Sequence, residues 1–123
     1  MIIGVDGNEA NVKQRVGVSV YTHELLTHFQ KKADAQTSFK IFLRSAPELG
    51  LPVENEYFQY IVARPSFLWS QIALPIALQS QRPDVFFSPA HYAPRISPCP
   101  IVVTVHDLSY KLYPDEFLRK DLY

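Results

Sequence analysis

The chain has 123 residues, 47% of them hydrophobic, and its twelve basic residues balance twelve acidic ones to a formal net charge of zero. That length suits one core and a single domain, residues 1–123, and a zero net charge offers no field to gather nucleic acid or an acidic membrane surface. The lone cysteine, Cys99, excludes an internal disulfide framework and every multi-cysteine zinc pattern.

Ile2-Ile3-Gly4-Val5 is a short apolar run followed at once by the turn-prone Asp6-Gly7-Asn8, which predicts a buried strand ending in a loop. Over residues 18–32, Val18, Tyr21, Leu25, Leu26 and Phe29 recur at helical spacing, while Ser19, His23, Thr27 and Gln30 take the other side. An amphipathic helix is expected there, with His23 and His28 solvated. Residues 39–43 and 57–63, rich in aromatic and β-branched side chains, predict two more strands separated by a polar segment with Pro47, Gly50 and Pro52. Residues 66–81 hold too long an apolar run for a strand and predict a largely buried helix, kinked or split at Pro75 by the missing donor and the steric clash of proline. Residues 84–88 and 101–105 are short apolar runs around a loop stiffened by Pro89, Pro94, Pro98 and Pro100, and they read as central parallel strands. The resulting order predicts an α/β fold, a Rossmann-like, mostly parallel sheet with helices on both faces. Residues 1–8 lack the basic flank and cleavage site of a secretory signal, and no apolar stretch reaches the ~20 residues that span a bilayer. A soluble, cytoplasmic protein is expected, one that at most touches a membrane from outside.

Ligands of open parallel sheets gather beyond the carboxyl ends of the strands, where loops meet helix N-termini with free N–H groups and positive partial charge. That rule brings together residues 6–17, residues 89–98 and the chain from His106 onward, with Asp6, His91 and His106-Asp107 as the reactive side chains. Gly17, just before the first helix, leaves room for a phosphate or sugar to approach the amides of Val18 and Ser19, with Lys13 and Arg15 adding charge; a plain glycine helix start fits equally. Gly4 and Gly7 stand too far from that helix for a G-x-G-x-x-G turn, so nicotinamide dinucleotide binding is not expected. His106 can donate to a sugar hydroxyl or act as a general base, while Asp107 also suits the N-cap of a helix over residues 108–113. His91-Tyr92 offers a hydrogen bond and a stacking face, as carbohydrate sites do, although loop aromatics also occur without function. Metal spacing is missing, Ser88 lacks a G-x-S-x-G elbow and Cys99 lacks an adjacent base, so no metal centre is expected and both residues are read as structural.

Leu68-Trp69-Ser70-Gln71, Leu74-Pro75, the run from Arg82 to His91, the run from Pro100 to Ser109 that includes Val105-His106-Asp107-Leu108-Ser109, and Pro114-Asp115-Glu116-Phe117 together resemble the amino-terminal domain of family-four glycosyltransferases. The resemblance implies the amino-terminal, acceptor-side half of a two-domain GT-B architecture in a retaining enzyme that transfers a hexose from a nucleotide-sugar to a hydroxyl. It implies a catalytic role for His106, near the reacting sugar, and substrate contacts around Gly17 and Tyr21, while Val18, Ser19, His91, Tyr92 and Asp107 are expected to contact substrate from their own places in the rim loops. The family's paired glycines read Val16-Gly17 here, with Tyr21 in place. Its donor-binding basic residues and paired glutamates have no counterpart in this chain, which implies an incomplete enzyme, inactive alone and ending within a helix begun at Pro114. The implied partners are a nucleotide-sugar donor, held mainly by a carboxyl-terminal domain, and a sugar or lipid-linked acceptor; no cofactor is implied. Two other readings stay open, a non-catalytic Rossmann-like binding or interaction module and a homodimer paired through an exposed sheet edge.

Overall fold

In the computed structural model, which describes residues 1–90 and 92–108, the apolar runs become β1 (Ile2–Asp6), β2 (Ser38–Leu43), β3 (Phe58–Val62), β4 (Val85–Ser88) and β5 (Ile101–Val103). Two helices join them, α1 (Val18–Lys32) and α2 (Ala73–Gln81). The strands form one sheet in the order β3-β2-β1-β4-β5, with every pairing parallel. The chain leaves the central β1 towards β2 and β3, then returns to fill the other side with β4 and β5. The switch point of this α/β sheet therefore lies between β1 and β4, where such folds open a crevice at the carboxyl ends of the strands.

Period-two alternation divides the strand side chains between two cores. Val5, Phe39, Ile41, Leu43 and Phe58 pack with Leu26 and Phe29 of α1, and the Phe29 and Phe39 rings stack with centroids 4.8 Å apart. Phe42 and Phe86 point the opposite way, towards Trp69, Ala73, Leu74 and Leu78 at α2, and their rings meet at 72° and 6.0 Å. Helices thus cover both faces, as expected. Each fully buried phenylalanine contributes about 1.5–3 kcal/mol through the area it removes from water. Gly4 and Gly7 permit this packing. A Cβ on Gly4 would lie 3.1 Å from both Phe42 and Phe86, and one on Gly7 would lie 2.5 Å from Ile41 Cγ2.

Several expectations need correction. The second helix starts at Ala73, seven residues after position 66, because residues 66–72 form turns in which Leu68 O accepts from Gln71 N and Ile72 N. Pro75 is consequently the third helical residue, where its missing donor is one that no intrahelical acceptor would meet, so it marks a helix start and not a kink. The last strand stops at Val103, and only Thr104 N→Ser88 O at 2.9 Å extends the ladder, since β4 ends at Ser88 and offers Val105 no partner. On α1 the buried positions are Thr22 and Leu26, while Tyr21 is exposed on the side next to β5.

Among the described residues, neither the β2–β3 connection (44–57) nor the β4–β5 connection (89–100) contains a helix. The first lies along α1: His23 Nε2 donates to Gly50 O at 2.8 Å and Gln30 Nε2 donates to Val53 O at 3.3 Å. His23 is therefore a fastening between helix and loop, in contrast to the solvated role expected of it, whereas His28 is exposed. His91, the helix expected over residues 108–113 beyond its first residue, and the helix from Pro114 lie outside the described residues.

Candidate functional site

The carboxyl rim of β4 and β5 is organised by a buried hydroxyl. Ser88 Oγ donates to Ala90 O at 2.8 Å and also meets the Tyr92 carbonyl, folding the chain back just after the strand. That fold presents the Pro89 carbonyl to His106, whose Nε2 lies 2.8 Å from it. A carbonyl can only accept, so Nε2 is the donor, and in the tautomer that carries its single proton there the acceptor lone pair is on Nδ1. The ring also meets Tyr21, edge to face at 88° with centroids 5.1 Å apart.

Tyr21 sits one turn into α1, and that turn begins at Gly17. Gly17 has φ 53° and ψ −118°, a backbone region that strains any residue with a Cβ, and among the described residues no heavy atom beyond its own chain neighbours lies within 4 Å of the place a Cβ would occupy. Its carbonyl accepts from Val20 N and Tyr21 N, both at 3.1 Å, while Ser19 N donates to Val16 O at 3.1 Å. The Ser19 amide is thus committed within the turn, and Val18 N–H is the first-turn donor without a partner among the described residues. Gly17, Val18, Tyr21 and His106 form one constellation at the rim. Asp107 follows His106 and is exposed, as is Tyr92, whose backbone belongs to the Ser88 fold. Arg15 turns away from the glycine: its Nε donates to Ala10 O at 2.9 Å, and a Cβ on Gly50 would lie 3.4 Å from its Nη1.

Asp6 ends the central strand. Burial pushes its carboxyl from 3.8 up to about 6, against hydrogen bonds from the Asn8 backbone and side chain; Glu9 adds a smaller push upward and Arg44 a smaller pull downward. Asn8 Nδ2 donates to Asp6 Oδ1 at 2.8 Å, and Asn8 Oδ1 accepts from Arg44 N at 2.8 Å. Beside them opens a polar cleft of about 230 Å³ between the loops after β1 and β2, lined by Asn8, Glu9, Asn11, Val12, Arg44 and Ser45. Nothing in residue spacing announces this cleft, because its two walls come from segments more than thirty residues apart. A larger open groove of about 510 Å³ lies between α2 and the segment entering β5, walled by Pro75, Ile76 and Ile96 among others and away from the rim constellation.

Among the described residues, no three His, Cys, Asp or Glu side chains gather as a metal site, and no helix is long and apolar enough to cross a membrane. No family model, curated protein or solved structure matches the chain.

Proposed function

We propose that this domain is the acceptor side of a retaining glycosyltransferase that moves a hexose from a nucleotide-sugar to a hydroxyl. The observation that carries the reading is the rim constellation: the His106 ring, tied through Nε2 to Pro89 O, rests on Tyr21 one turn from the open glycine that starts α1. In this reading the N-terminus of α1, with the Val18 amide, stabilises negative charge on the donor phosphate as the glycosidic bond breaks. His106 Nδ1 accepts from a hydroxyl of the transferring sugar. The sequence series ending in Val105-His106-Asp107-Leu108-Ser109 supports the same reading. Donor affinity then resides mainly in a second domain of the enzyme, since the basic and paired-glutamate groups that the resemblance calls for are not in this chain. On that division of labour the 123-residue chain by itself does not turn over, and its setting is cytoplasmic or membrane-peripheral, where a sugar or lipid-linked acceptor reaches the rim.

The test uses the polypeptide that carries this domain together with its donor-binding domain, and follows nucleoside diphosphate release from UDP- and GDP-hexoses in the presence of hydroxyl acceptors. Release is expected, and His106→Ala should lower turnover by about 100-fold with an unchanged circular dichroism spectrum. Full activity in that variant, or no release with any donor, overturns the assignment.

A further inference from the structure

We propose that the polar cleft between the loops after β1 and β2 binds a small hydroxylated anion of the sugar-phosphate class, with Arg44 pairing with the anionic group and Glu9 accepting from a hydroxyl. It rests on the sugar-transfer reading only in identifying that molecule as the acceptor; the binding chemistry stands on the cleft itself.

The walls are braced before any ligand arrives. Asn11 Nδ2 donates to Ser45 Oγ at 3.2 Å and to Ala46 O at 3.1 Å, while Asn11 Oδ1 accepts from Glu48 N at 2.6 Å. Asn8 is committed on both amide atoms as well, to Asp6 and to the Arg44 backbone. The asparagines therefore hold the two loops together and leave the cleft's remaining chemistry to three groups: the Arg44 guanidinium, the Ser45 hydroxyl hydrogen and the Glu9 carboxylate. Arg44 and Glu9 do not pair with each other, and among the described residues no carboxylate lies within ion-pair distance of Arg44. Arg44 and Glu9 set an unpaired cation and anion at a single opening, with the buried Asp6 carboxyl behind them, and match a ligand that carries an anionic group at one end and hydroxyl donors at the other. The planar guanidinium offers a two-pronged fit to phosphate or carboxylate. A volume of about 230 Å³ falls below the roughly 300–1,000 Å³ of pockets for drug-sized ligands, which restricts the occupant to about one ring. The cleft also stands at the carboxyl ends of β1 and β2, the side on which α/β sheets receive ligands.

Isotope-labelled chain titrated with glucose 6-phosphate, glucose and inorganic phosphate tests the proposal by amide chemical shifts. Glucose 6-phosphate should shift Asn8, Asn11 and Ser45 saturably, with glucose and phosphate each binding about tenfold more weakly. Arg44→Gln, which keeps the backbone bond to Asn8, should weaken glucose 6-phosphate about tenfold, the loss of one charge-assisted contact. Glu9→Gln should weaken glucose 6-phosphate and leave phosphate unchanged. Cosedimentation with phosphatidylinositol vesicles in place of a response to the free sugar phosphate assigns the same chemistry to a lipid headgroup. No response to either source, or equal binding by wild type and Arg44→Gln, overturns the proposal. His106→Ala should bind these probes normally, so a failed transfer assay and a failed cleft remain separate results.

Discussion

Replacing Asp6 with asparagine removes a charge that the fold carries at a loss. Above about pH 6 the folded protein holds a carboxylate at the end of its central strand, largely away from water. Burial, the largest influence on it, raises its pKa from 3.8 to about 6 despite two hydrogen bonds from Asn8. That interval of about 2 pH units, at about 1.36 kcal/mol each, corresponds to roughly 3 kcal/mol of lost stability at neutral pH. The sign follows from proton counting. Between about pH 4 and 6 the folded state retains a proton that the unfolded state has released, so this group's contribution to stability rises as pH falls through that window and is worst above it. Asparagine keeps an oxygen to accept from Asn8 and never ionises. Asp6→Asn should therefore be about 2 to 3 kcal/mol more stable than wild type at pH 7, and the advantage should shrink to near zero by pH 4. Urea denaturation at pH 4, 5, 6 and 7, followed through the fluorescence of the single, buried Trp69, measures it directly. A variant no more stable than wild type at pH 7, or a difference that does not change with pH, refutes the reasoning.

Gly7→Ala should lower stability by about 1–3 kcal/mol in the same denaturation, because its Cβ would press within 2.5 Å of Ile41 and 2.9 Å of Leu43, both fully buried in β2. His23→Ala should cost only about 0.5–1.5 kcal/mol, the worth of one hydrogen bond, but it should quicken amide exchange across residues 48–53 more than in the sheet.

Periodicity exposed most of the fold. The helical spacing of Val18, Tyr21, Leu25, Leu26 and Phe29 placed α1 over residues 18–32 as found, and the apolar runs marked every strand to within two residues. The start of α2 was illegible because apolar content does not separate a helix from a set of turns: Phe67 and Leu68 are exposed, and only Trp69 of that trio enters the core. The rim was partly legible. The place of His106 after a strand and of Gly17 before a helix could be read from order alone, whereas the Tyr21 contact depends on how α1 lies across the sheet. The charge state of Asp6 depends on its burial, and the cleft at Arg44 on two loops meeting; neither quantity is local in sequence.

The all-parallel arrangement also dictates a timetable. A parallel sheet has no hairpin to begin from, and the central strand must wait for partners far along the chain: Ile2 N donates to the carboxylate of Asp84, 82 residues away. At about 5–20 residues per second of synthesis, the middle of the sheet stays open on one side for roughly 4 to 16 s after β1 is made. Through that interval the apolar strand Ile2–Asp6 displays unpaired backbone along one edge.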